Sequence, residues 1–278
     1  MSSDGAVAFH HPRPLGDPGL ARGATGLRPA ELKAAFERLG HEVVDVSGFS
    51  RERARRSREL RRSVARGREL LGVYGESVTT PTALADPHHL PFRPLFDVRF
   101  FAAMRRAGVP TGIFYGDVFW LYPTFRTALP RAKRWVADTG HRFDVWWYRR
   151  HLDVLFVPSR ELAERLPVRL RHPRPVELPP GCRVADEGGG EEETGPVAGR
   201  LRLLHVGGTV PPMYDLEPLL EAVSRIDGVS LIVCCPPDQA DQVRHSPHFD
   251  AARVEIVHAR AAEVGELYRR VDVACAGF

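Results

Sequence analysis

Short apolar runs recur along this chain, separated by helix-patterned stretches and glycine turns. Ala6–Phe9, His41–Ser47, Gly108–Tyr115, Leu152–Val157, Leu201–Val206, Val229–Cys234, Val254–Val257 and Val271–Cys275 all have this character. Runs of this length, rich in Val, Leu and Ile, read as strands buried on both faces. Between the first two, Leu32, Ala35, Phe36 and Leu39 recur at helical spacing. Pro29 stands where a helix starts well, and Gly40 stops it. Phe96–Ala107 and Leu216–Ile226 repeat the helical spacing, and Ser159 is placed to cap a helix through Leu166. Strands alternating with helices satisfy their backbones as a parallel sheet, because a parallel pair needs a crossover and a helix supplies it. The expected fold class is α/β.

The chain has 278 residues, room for two modest domains. Residues 185–199, with their glycines and Glu191-Glu-Glu193, read as a linker between a first domain, 1–184, and a second, 200–278. The second region opens a fresh α/β unit, and the sequence ends directly after a strand. An incomplete second sheet is therefore expected. Charge divides along the same line, with 32 basic and 24 acidic residues up to position 200 and seven and 11 beyond it. Ser50–Arg68 carries nine arginines against Glu52 and Glu59 and should be a helix capped by Ser50. It lacks interleaved aromatics, and no helix-turn-helix or zinc pattern accompanies it, which argues against nucleic acid. An anionic membrane surface is the partner expected for Arg51–Arg68.

No apolar run approaches the roughly 20 residues of a membrane span, and no basic-then-apolar leader opens the chain. Four cysteines without regular spacing make no disulfide framework, and Cys234 and Cys235 read as buried thiols. A cytoplasmic protein follows, with room for a peripheral place at the inner face of the membrane. There is no Gly-x-Ser-x-Gly, no phosphate-binding loop ending in Gly-Lys-Ser/Thr, no His-Glu-x-x-His and no Asp-x-Asp. His10-His11, His88-His89 and His245-x-x-His248 lack the companions of a metal site, so no metal or other cofactor is expected.

Three segments can carry chemistry. Gly23-Ala-Thr-Gly26 precedes a helix, and Gly207-Gly208-Thr209 follows a strand. Backbone amides at such turns can hold a phosphate or a sugar hydroxyl. Asp117 follows a buried strand, between Tyr115 and Trp120. Rings that stack on a pyranose beside a carboxylate that takes its hydroxyls would make a sugar site. The same spacing fits a helix-capping Asp in an aromatic core.

These segments belong to a longer series of motifs. Tyr74-Gly-Glu-Ser77, Thr80-Pro-Thr82, His88-His-Leu-Pro91, Gly112–Asp117, Leu155-Phe-Val-Pro-Ser159, Leu178-Pro-Pro-Gly181, His205-Val-Gly-Gly208 and Tyr214-Asp-Leu216 occur in this order. In that series, from about Gly26 to Phe278, the chain resembles the GT-B glycosyltransferases of the large retaining family four, specifically a bacterial branch. The resemblance implies two Rossmann-like domains facing a cleft. It also implies transfer of a sugar from a nucleotide diphosphate donor to an acceptor, with retention and without a metal. Gly23, Thr25, Gly26 and Arg28 match the loop facing the donor phosphates. Glu76 and Ser77 match an acceptor-side motif, Asp117 an acidic position at the cleft floor, and Tyr115, Trp120 and Ser159 stand with them on the substrate side. Gly207, Gly208, Thr209 and Tyr214 match the donor-domain turn. The branch usually has Arg where this chain has Gly116, and the glutamate pair that contacts the donor falls beyond Phe278. A non-catalytic sugar-binding or partner module of a glycosyltransferase system is the alternative expectation.

Overall fold

The structure is a computed structural model that describes residues 5–15, 24–167, 172–179, 181, 199–211, 214–259 and 261–275. The chain divides into two compact units, Met1–Cys182 and Arg183–Phe278. Most of the expected linker lies outside the described residues.

The first unit is built on six parallel strands, β1 (Ala6–His11), β2 (Glu42–Ser47), β3 (Leu70–Glu76), β4 (Thr111–Phe114), β5 (Val154–Val157) and β6 (Arg174–Glu177). Their order in the sheet is β2-β1-β3-β4-β5-β6. The helices are α1 (Ala24–Arg38), α2 (Ser50–Ala65), α3 (Phe96–Arg106), α4 (Pro123–Ala128), α5 (Arg131–His151) and α6 (Arg160–Glu164). Strand side chains alternate between the two faces. Ala8, Val73, Ile113 and Leu155 pack under Leu60 of α2, Phe101 and Met104 of α3, and Trp147 of α5. Val7, Phe9, Tyr74 and Phe114 point the other way, toward Leu32 and Phe36 of α1. Both faces are covered, which is why these strands are apolar on both sides.

Two local expectations need correction, and some elements lie outside what the sequence predicts. Helix α1 starts at Ala24, so Gly26 lies inside it and Pro29 stands in its second turn. Ser50 does not cap α2 with its own side chain. The cap residue is Phe49, and Asp86, from the loop after β3, accepts both the Ser50 amide (2.7 Å) and the Ser50 hydroxyl. A carboxylate brought from a distant loop to a helix N-terminus satisfies a free amide and complements the dipole. Asp86→Ala is therefore expected to cost about 1–2 kcal/mol, read as a lowered midpoint in urea unfolding. Strand β3 holds Gly72 and Gly75, residues that argue against a strand in sequence. A Cβ on Gly75 would meet Ile113 Cγ1 at 2.9 Å, so the close packing of β4 is what requires the glycine. Helix α5 lies where the apolar residues keep no clear helical period, so the sequence by itself does not predict it.

The second unit has four parallel strands, β7 (Leu201–Val206), β8 (Val229–Cys234), β9 (Val254–Val257) and β10 (Val273–Cys275), in the order β10-β7-β8-β9. Leu231 and Val233 pack on Leu220 and Val223 of α7 (Glu217–Arg225) and on Val243 of α8 (Ala240–Arg244). Leu204, Ile232 and Cys234 face Leu267 of α9 (Ala261–Arg269). Cys234 and Cys235 are buried free thiols. Read from its other edge, the order is that of a doubly wound nucleotide-binding sheet, with β7 first and β10 on its far side. Among the described residues no helix is long and apolar enough to cross a membrane.

Candidate functional site

Open parallel sheets bind ligands outside the carboxyl ends of their strands, where the chain reverses its direction of winding. In the first unit that reversal lies between β1 and β3, and in the second between β7 and β10. The chemistry-bearing residues gather at these two places.

At the first, alternation decides which side chains meet. His10 pairs with Gly75 across β1 and β3, so the next residues, His11 and Glu76, end adjacent strands on the α1 face. Glu76 is buried, 4% exposed, and its Oε1 accepts from Arg28 Nη1 (2.5 Å) and from the Tyr74 hydroxyl (2.8 Å). The Arg28 guanidinium lies over the Phe114 ring, Cζ 3.4 Å from its centroid. Burial pushes Glu76 above the usual carboxylate range, and the bonds from Arg28 and Tyr74 only partly offset it. Arg28 thus enters from α1 as a half-buried cation whose position is set by a carboxylate on one side and a ring face on the other.

Beside this pair, the chain after β3 meets the chain after β4. The Ser77 amide donates to the Phe114 carbonyl (2.9 Å), and Ser77 Oγ accepts from the Gly116 amide (3.3 Å). Thr79 Oγ1 donates to Asp117 Oδ2 (3.1 Å). Asp117 is half-buried, and burial raises its pKa against the bonds from Thr79 and the Phe119 amide. A carboxylate raised in this way is a stronger base and a stronger hydroxyl acceptor than one in water.

His11 and Arg13 are not singled out by the sequence, in which His10-His11 reads only as a candidate metal-ligand pair. His11 Nδ1 donates to the Arg13 carbonyl (2.9 Å), which leaves Nε2 as a lone pair, buried and without a partner among the described residues. Burial lowers its pKa to about 4, so the ring is neutral at physiological pH. Arg13 in turn donates to Thr80 Oγ1 (3.5 Å). The signal was available: two polar residues ending an apolar strand at a sheet's first turn.

Other predicted residues serve packing. Tyr115 and Trp120 are core side chains, 3% and 1% exposed, with Trp120 Nε1 donating to the Tyr115 hydroxyl (2.9 Å). Trp120 also stacks on His141, at 5.1 Å between centroids and 9° between planes. Their ring faces are covered by protein, and the expectation that they stack on a sugar is corrected accordingly. Ser159 is the N-cap of α6, its Oγ accepting from the Leu162 amide (3.3 Å). Gly23 and the Thr25 side chain lie outside the described residues, and Gly26 is helical.

At the second reversal, Gly207 follows β7 with φ at 151°, a value that favours glycine. A Cβ on Gly208 would meet the Tyr214 ring at 2.6 Å, so the absent side chain makes room for Tyr214. His205 Nε2 donates to the Gly208 carbonyl (3.0 Å) and braces the turn. Thr209 is buried, its amide donating to Gln239 Oε1 (2.8 Å). Gly207, Gly208, Thr209 and Tyr214 therefore form one local structure. Among the described residues no group of three or more His, Cys, Asp or Glu side chains could hold a metal ion.

No protein-family model matches this sequence, and no curated protein matches it. Among solved structures the chain is similar to Anabaena HepE in complex with UDP, at a TM-score of 0.56 and 12% identity over 97% of this chain and 73% of that one. It is similar to the same protein with UDP and glucose, at 0.55 and 14% over 97% and 73%. The complex with UDP-glucose gives 0.54 and 13% over 96% and 72%. At such identities the likeness establishes the fold, which is α/β and GT-B-like, with two Rossmann-like units.

Proposed function

We propose that the chain is a glycosyltransferase that uses a nucleoside diphosphate sugar, of the retaining family four and its bacterial branch. The observation that carries this reading is the coincidence of sites with winding reversals. The Glu76–Arg28 and Asp117–Thr79 pairs stand at the first sheet's carboxyl edge, and the Gly207-Gly208 turn stands at the second's. The bound UDP and UDP-glucose of Anabaena HepE support the same donor class. In this reading the second unit binds the nucleotide, and the first holds the acceptor and the donor phosphates.

Each group then has a task that suits its chemistry. Arg28, a cation held in place by Glu76, stabilises the negative charge that grows on the leaving diphosphate. Asp117, half-buried and without a charge-paired partner among the described residues, is an acceptor suited to orient a sugar hydroxyl. No separate strong base is required, since the departing diphosphate takes the acceptor proton. Arg51–Arg68 adds peripheral contact with an anionic membrane at the cytoplasmic side.

Titration calorimetry with UDP, and then with UDP-glucose, tests the donor assignment. Saturable binding is expected, and proton NMR of the product should show the donor's anomeric configuration kept. Absence of binding for the diphosphates of uridine, guanosine and thymidine at millimolar concentration would overturn the assignment. Asp117→Asn is expected to lower transfer about 100-fold, near 2.7 kcal/mol of transition-state stabilisation, with the thermal midpoint unchanged. Full turnover by that variant would remove Asp117 from the site.

A further inference from the structure

The layer formed by α2, α3 and α5 carries charge out of proportion to its length. These three helices hold 16 arginine and lysine residues against five acidic ones, an excess of +11 in a chain whose net charge is +4. None of the five acids leaves a free charge at the surface. Asp97 and Asp144 are buried, and Glu52, Glu59 and Asp138 are ion-paired with Arg56, Arg55 and Arg126. On α2, Arg51, Arg55, Arg58 and Arg62 recur every three to four residues and form one exposed stripe.

Helix α5 adds what the sequence reading of α2 lacked. Trp135 and Trp146 are 70% and 45% exposed. They stand 11 residues apart, three helical turns, so they lie on one line about 16 Å long. Arg131, Arg142 and Arg149 fall on the same side of the helix and are exposed. Arg150 lies against the Trp146 ring, Cζ 4.4 Å from its centroid. At the end of α5, burial first, and then the charges of Arg105, Arg106 and Arg150, hold His151 below its ordinary pKa, although Arg105 is itself paired with Asp153. Cations near helix C-termini are ordinary complements of the dipole. The alternation of tryptophan and arginine along three turns of α5 has no such explanation.

We propose that the α2–α3–α5 face docks on an anionic lipid bilayer, with Trp135 and Trp146 seated in the headgroup region as anchors. Charge complementarity selects the occupant, because an exposed row of arginines meets lipid phosphates at long range. Tryptophan is the side chain that prefers the boundary between headgroup and acyl chain. The inference rests on the membrane contact proposed for α2, and is independent of the glycosyltransferase assignment.

The test is co-sedimentation of the full chain with vesicles of phosphatidylglycerol and phosphatidylcholine, against phosphatidylcholine alone. Tryptophan quenching by brominated lipid accompanies it. Trp120 and Trp147 are each 1% exposed, so contact quenching reports Trp135 and Trp146. Expected are binding to the anionic vesicles only, quenching on binding, and about a tenfold weaker partition for Trp135→Ala with Trp146→Ala. Replacement by Phe at both positions should restore most of it. Binding lost on reversing Arg55, Arg58 and Arg62 to Glu, but indifferent to the tryptophans and without quenching, would overturn the anchors and leave the α2 contact standing. No binding to anionic vesicles, or equal binding to DNA with none to lipid, would overturn both.

Discussion

Arg53→Met is expected to destabilise the first unit by about 3–5 kcal/mol, the cost of leaving a buried charge without its partner. Arg53 is 1% exposed on α2, and its Nε and Nη2 donate to the two carboxylate oxygens of Asp97 on α3, both at 3.0 Å. Its Nη1 donates to the Gly48 carbonyl (2.5 Å), and His10 Nε2 lies 2.7 Å from Asp97 Oδ1. Burial by itself would raise Asp97. The Arg53 guanidinium and the bond from His10 outweigh it and hold the carboxyl below the usual range. One carboxylate thereby ties β1, α2 and α3 together beneath the arginine-bearing surface. Adding Asp97→Leu to the variant should recover much of the loss, since the uncompensated charge is then gone. Urea unfolding of the two single variants and the double variant measures the coupling. Additive losses would mean that the pair contributes nothing beyond its separate contacts.

His141→Phe has the next largest expected effect, and it depends on pH. The His141 ring is 4% exposed, lies flat on Trp120, and has no partner for Nδ1 among the described residues. Burial lowers its pKa to about 4. Its folded-state value lies below its unfolded one, so the wild type loses stability as pH falls from about 6.5 toward 4. A phenylalanine keeps the stacked ring and removes the titration. Relative to wild type the variant should gain about 3 kcal/mol between pH 7.5 and pH 4. Asp144, pushed up to about 7 by burial, works in the opposite sense, its contribution full below the ordinary carboxyl range and lost as pH rises through 7. Because Asp144 is present in both proteins, the difference between them isolates His141. A difference that stays constant with pH would mean that His141 titrates alike in the folded and unfolded states.

Legibility in the sequence followed burial. Strands β1, β2, β4, β5 and β7 to β9 are visible because a strand covered on both faces must be apolar at nearly every position, and β10 is visible by its apolar composition although Val273 is exposed. Strand β3 is not, since its glycines are set by how closely β4 approaches. Helix α5 is not, because its buried positions include His141 and Asp144 while Trp135 and Trp146 face outward. Its apolar period is broken in both directions. The candidate site divides likewise: Glu76, Ser77 and Asp117 are singled out by motif, whereas His11 and Arg13 come beside them only through the pairing of β1 with β3.

By itself, then, the sequence determined the α/β class, most strands, the glycine turn after β7 and the basic excess of the first region. These are properties of local composition and period, and they hold whatever the chain packs against. Tertiary structure decided which residues stand together. It covered Tyr115 and Trp120, brought Arg28 of α1 to Glu76 of β3, and capped α2 with a carboxylate 36 positions away. It also turned two tryptophans toward solvent beside the arginines of three helices. Contacts between residues distant in the chain depend on strand order and register, and neither is written in any single segment.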